Sequence, residues 1–166
     1  MKSSAGLLAI YLTLTITNVS CKEIEGGTYL KGDGLTAPLE VVELQGGVVG
    51  FTGKYYRIEK DGEWSAGPLL PGRGTKGAPT AKGKFTSKEL TQLAKQLHKY
   101  RLSTLSSHGA PEVNPRIVKI KMGQHVNILN PNRGDTAKEE DLAIRNRYEG
   151  ILNAVKGLCA TPSTSP

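Results

Sequence analysis

Two segments constrain this chain most: Thr86-Ser87-Lys88-Glu89 and Thr136-Ala137-Lys138-Glu139. Each sets a hydroxyl three residues ahead of a glutamate. The hydroxyl can cap a helix while the carboxylate reaches back to the cap's own amide. Behind the first, Leu90, Leu93, Ala94, Leu97 and Tyr100 recur at helical spacing. Behind the second, Ile144, Tyr148, Ile151, Leu152, Val155 and Leu158 do the same. The pattern predicts two amphipathic helices, ending near Tyr100 and Leu158. Each carries one apolar stripe that needs a surface to pack on.

Alternating segments supply that surface. Leu39 to Leu44 reads as a first strand and Lys54 to Lys60 as a second. In the second, Tyr56 and Ile58 share one face, with Tyr55, Arg57 and Glu59 on the other. Asp61-Gly62 signals a turn, and Glu63 to Ala66 the return strand. Residues 67–83 are too rich in Gly and Pro to be regular, with a strand resuming near Lys82 to Phe85. Arg116 to Met122 sets Val118, Ile120 and Met122 against Lys119 and Lys121. Gly123-Gln124 fits a two-residue turn into His125 to Leu129, where Val126 and Ile128 are expected inward and His125 outward. Lone hairpins are unstable in water. The expected fold is therefore α+β: a two-layer antiparallel sheet of about four to five strands, with both helices on one face.

Residues 1–20 read as a signal peptide. Lys2 precedes an apolar run from Ala5 to Ile16, shorter than the ~20 residues a spanning helix needs. The expected location is outside the cytoplasm: periplasm, cell envelope or secreted. Residues 21–36 read as a flexible tether, 37–159 as a single domain and 160–166 as a disordered tail. The net charge of +7 serves solubility and would attract an acidic partner.

Cys21 and Cys159 are the only cysteines. Two readings of them stand. Cys21 is the lipidated first residue of an envelope lipoprotein, a processing that Val19 and Ser20 suit and Asn18 does not. Or it stays in the mature chain and pairs with Cys159 as a disulfide. The lipid anchor is the one membrane contact the sequence offers.

Catalytic patterns fail on their own requirements. Gly72-Arg73-Gly74-Thr75-Lys76-Gly77 matches the dinucleotide spacing, yet Pro79 blocks the helix a pyrophosphate would need. His98, His108 and His125 lack metal-ligand spacing. No serine sits in a nucleophile elbow. Glu139, Glu140 and Asp141 are explained by the positive end of their helix. Arg133-Gly134-Asp135 has the composition of any turn before a capped helix. Arg73, Lys76, Lys82 and Lys84 have no interleaved aromatic for base stacking, which argues against nucleic acid. A non-enzymatic protein without cofactor or metal is expected.

The stretch Gly46 to Gly53 holds four glycines around Val48, Val49 and Phe51. Two readings are open: a wide hairpin with its apolar side chains tucked under the sheet, or a recognition loop. In the second, Val48, Val49 and Phe51 enter a partner's pocket while Arg73 and Lys76 reach acidic rims.

The order of these features resembles the emfourin family of metalloprotease inhibitors. The shared features are a strand leading into Gly46-Gly47-Val48-Val49-Gly50, a second strand with its Asp61-Gly62 turn, and the Thr86-Ser87-Lys88-Glu89-Leu90 helix with Leu93 and Leu97. Two alternating strands, Arg116 to Met122 and His125 to Leu129, complete them. The resemblance covers about 39–130. It implies a four-stranded antiparallel sheet with helices, and inhibition of a secreted, thermolysin-like metalloprotease. The alternative is a structural or envelope lipoprotein domain, anchored through Cys21, with no protease target.

Overall fold

A computed structural model describes residues 29–48, 50–72, 74–109, 115–130 and 138–160. Strands β1 (Leu30–Lys31) and β2 (Gly34–Leu35) form a small hairpin. The meander β3 (Leu39–Gln45), β4 (Thr52–Ile58), β5 (Glu63–Leu69) and β6 (Ala81–Lys84) follows. Then come helix α1 (Ser87–Lys99), a short 3-10 turn (Leu102–Thr104), strands β7 (Arg116–Met122) and β8 (His125–Leu129), and helix α2 (Glu139–Ala160). The molecule is α+β, with an antiparallel six-stranded sheet in the order β6-β5-β4-β3-β7-β8.

Strand parity sorts the sheet's two faces. Val41 stands opposite both Tyr56 and Ile120, and Leu39 opposite Ile58 and Met122. These residues share one face, and both helices lie on it. Helix α1 buries Leu90, Leu93, Ala94 and Leu97 there; α2 buries Tyr148, Ile151, Leu152, Val155 and Leu158. Each fully buried Leu or Ile contributes roughly 2 kcal/mol. The capping box of α1 forms as its sequence predicts: the Glu89 amide donates to Thr86 Oγ1 at 3.3 Å, and the Thr86 amide to Glu89 Oε2 at 2.7 Å. Thr136, the expected cap of α2, lies outside the described residues. Arg147 ties the helices together, donating to the carbonyls of Tyr100 (3.0 Å) and Arg101 (2.7 Å) at the end of α1. Among the described residues no helix is long and apolar enough to cross a membrane.

Four expectations need correction. The tether stops short of residue 36: Tyr29 and Leu35 are buried in the main core, and the Ser103 amide donates to the Tyr29 hydroxyl at 2.9 Å. The main sheet has six strands where about four to five were expected, because Ala81–Lys84 joins its edge by pairing with Glu63–Ala66. The loop 67–83 is partly regular, since Lys76 bridges back to Leu69. Finally, Val126 and Ile128 face away from the helices. Met122 pairs with His125 across the two-residue turn, so His125, Asn127 and Leu129 share the helix-side face. Val126 is accordingly 43% exposed, while Leu129 is buried.

Candidate partner-binding edge

At one end of the sheet two loops lie side by side. The first leaves β3 at Gln45. The Gly46 amide donates to the Pro115 carbonyl at 2.7 Å, and the Gly50 amide closes a turn onto the Gly47 carbonyl at 3.0 Å. The second, described over residues 70–72 and 74–77, folds back over the sheet face opposite the helices. Its ladder runs from the Leu70 amide to the Thr75 carbonyl (2.7 Å) and from the Gly77 amide to the Pro68 carbonyl (2.9 Å).

The loops touch through backbone. The Phe51 amide donates to the Gly72 carbonyl at 3.3 Å. Gly50 has φ +94°, and a Cβ there would sit 2.7 Å from the Gly72 Cα. Only glycine allows both that torsion and that approach. Beneath the second loop Val42, Tyr55 and Leu69 form a small second core, with Leu44 packed against it. The Tyr55 hydroxyl donates to the Gly77 carbonyl at 3.3 Å.

The base of the edge is held by charge. Arg116 spans two carboxylates: its Nη2 donates to Glu43 Oε1 at 2.8 Å, and its Nη1 and Nη2 donate to Glu149 on α2. Lys156 adds a bond to Glu43 at 2.5 Å. Burial alone would raise the Glu43 carboxyl, but the bonds and charges of Lys156 and Arg116 outweigh it and hold the group below its usual value. Arg116 is raised, chiefly by its hydrogen bond to Glu149. This network joins β3, β7 and α2 next to the Gly46 turn.

The residues proposed from sequence meet different fates here. Val48 is 102% exposed, at the tip of the turn. It does not tuck under the sheet. Phe51 is half-buried and set by its bond to Gly72. Lys76 is not free for a partner's rim: its ammonium bonds Glu40 and sits 5.5 Å from the centre of the Tyr55 ring. Leu70, which is not among the residues that sequence patterns single out, is 50% exposed on the second loop. Its Leu-Leu-Pro context before a glycine is the available signal. Val49, Arg73 and Cys21 lie outside the described residues. Among the described residues Cys159 has no disulfide partner; it packs against the core, and burial pushes its thiol up to about 12.

The His108 backbone bridges to β8, and its Nε2 lies 2.9 Å from Asp141 Oδ1 in the first turn of α2. The neighbouring Ser107 hydroxyl accepts from the Ile128 amide at 3.0 Å. Among the described residues no polar or charged side chain is buried, and no group of three or more His, Cys, Asp or Glu could hold a metal. No family model matches this chain, and no curated protein matches it.

Proposed function

We propose that this protein is an exported, non-enzymatic binding domain that inhibits a secreted metalloprotease through the 46–51 turn. Val48 carries the reading. It is a fully exposed aliphatic residue on a turn fixed by backbone bonds at Gly46, Gly50 and Phe51. A pre-set turn loses little conformational entropy on docking, so the apolar contact is not offset by ordering. Leu70 is a second exposed apolar residue, on the neighbouring loop. The positive net charge favours a partner with an acidic rim. The resemblance in sequence order points to the same class of partner.

The test is residual activity of secreted metallo-, serine and cysteine proteases incubated with the purified protein. The expected result is dose-dependent inhibition of a thermolysin-like enzyme, with the inhibitor left uncleaved. Val48→Asp should weaken inhibition at least ~10-fold, as loss of a central apolar anchor does. The same change should leave stability within ~0.5 kcal/mol, because the side chain touches nothing in the fold. Full protease activity across the panel refutes the proposal.

A further inference from the structure

We propose that the outward face of α1 is a second interaction surface, which rests on an anionic lipid bilayer. The inference goes beyond the inhibitor reading and does not depend on it.

Helical geometry defines the face. Leu90, Leu93, Ala94 and Leu97 point into the core. At about 100° per residue, Lys88, Lys95 and Lys99 fall within about 40° of one another, on the side opposite that stripe. All three are exposed, and they cover about 16 Å of the helix. Arg101, also exposed, adds a fourth cation just past the helix end.

No carboxylate of α1 offsets this row. Glu89, the one acid in the helix, lies off the row and is bonded to the Thr86 amide and hydroxyl. Lys88 and Lys99 have no ion pair among the described residues. On the neighbouring helix Asn146, Asn153 and Gly157 are exposed and uncharged. The acids Glu139, Glu140 and Asp141 sit in the first turn of α2. That is roughly 14–16 Å along the helix from Gly150, which meets Tyr100. Near the start of α1, Gly62 lies against Leu90, and the adjoining Asp61 is ion-paired with Lys84 at 3.5 Å. Asp33, in the β1–β2 turn, has the exposed Lys31 and Lys60 for neighbours.

Shape and chain length select a bilayer over an acidic protein. The row is a convex ridge with no exposed apolar or aromatic anchor, so a folded partner finds no hot spot on it. Lipid headgroups move to meet fixed charges, and each lysine near an anionic leaflet adds roughly fivefold to binding. The chain also enters at this end. The Tyr29 hydroxyl accepts from the Ser103 amide at 2.9 Å just past α1. Strands β1 and β2 contact α1, and the Leu35 amide donates to the Lys60 carbonyl at 2.7 Å. Cys21, the residue that the sequence offers for a lipid anchor, precedes Tyr29 by at most about 29 Å of chain. An anchor there raises the local lipid concentration at α1; the ridge itself needs none. The 46–51 turn joins the other ends of β3 and β4, roughly 20 Å away, and stays clear of the bilayer.

The test is lysine footprinting of the exported protein with an N-hydroxysuccinimide ester, each lysine read by mass spectrometry. Labelling is compared in buffer, with phosphatidylcholine vesicles, with equimolar phosphatidylcholine–phosphatidylglycerol vesicles, and with soluble polyglutamate. Neither lipid carries an amine to consume the reagent. The expected result is at least ~5-fold slower labelling of Lys88, Lys95 and Lys99 with the anionic vesicles alone. The slowing should vanish in about 0.5 M sodium chloride. Lys119 and Lys121, on the sheet face away from the helices, should keep their rates. Lys88→Gln combined with Lys99→Gln should return Lys95 to its vesicle-free rate. Both positions are exposed, and Gln suits a helix about as well as Lys, so the fold is kept. Three results each overturn the proposal: unslowed labelling with the anionic vesicles, equal slowing at Lys119 and Lys121, which means unspecific attraction, or equal slowing by polyglutamate, which gives the face to an acidic protein.

Discussion

Gly150 sets how closely α2 can approach the end of α1. A Cβ at this position would sit 2.2 Å from Cζ, 2.3 Å from Cε1 and 2.6 Å from Cε2 of Tyr100. Carbon atoms prefer separations of roughly 3.5–4 Å, so alanine requires the ring to retreat by more than ~1 Å. The ring is not free to do so: it packs against the core, and the Lys99 ammonium sits 5.3 Å from its centre. Two effects then oppose each other. Alanine in a helix interior gains ~1 kcal/mol over glycine. Overpacking costs ~1–3 kcal/mol. At so close an approach overpacking outweighs the helix preference. Gly150→Ala should therefore destabilise by ~1–2 kcal/mol, read as a lower urea midpoint at unchanged slope. In a Tyr100→Ala background the clash is gone, and the same change should stabilise by ~1 kcal/mol. The coupling between the two positions is therefore ~2–3 kcal/mol, with a change of sign between backgrounds. A stabilising Gly150→Ala in both backgrounds would refute the argument, because it would mean that the ring does not limit the helix approach.

Tyr29→Ala should cost ~3–4 kcal/mol in urea unfolding, since it empties a core site; a change below ~0.5 kcal/mol would return residues 29–36 to the role of a tether. Glu43 titrates below its usual value in the folded protein, so its contribution is present above the unfolded pKa and is lost as pH falls through the folded one. Glu43→Gln should accordingly lower the urea midpoint at neutral pH and leave it little changed in acid; parallel curves for the two proteins refute this. The Cys159 thiol, pushed up to about 12 by burial, should react with iodoacetamide at pH 8 at least ~100-fold more slowly in the folded protein than in urea. Equal rates would show that the thiol is accessible.

Much of the architecture is legible because it rests on local pattern. The capping box, the α1 stripe and the alternation in β7 each predict an element that forms, and the α+β class follows from their need to cover one another. The orientation of β8 is also within reach of the sequence, though its apolar residues point the wrong way. A two-residue turn at Gly123-Gln124 pairs Met122 with His125 on one face; parity alone then sends Val126 and Ile128 to the other. Tyr29 and Leu35 offer less: two apolar residues among glycines and charges have no periodicity to announce burial. At the candidate edge, the glycines mark a special backbone, but not what it approaches. That Gly50 abuts Gly72, or that Lys76 is taken up by Glu40, depends on segments more than twenty residues apart.

By itself the sequence determined the main strands and both helices, the cap of α1, the side of each helix that is buried, and the glycine-rich turn as the place where the backbone departs from regularity. These depend on interactions within a few residues, which the chain carries wherever it folds. The tertiary structure alone decided that β7 inserts beside β3, that loop 70–77 folds onto the far face, that Arg116 joins two strands and a helix, and that Val48 stands clear of all contacts. Those outcomes follow from which distant surfaces pack together, and hydrophobic burial, being non-directional, does not encode that choice in any one stretch of chain.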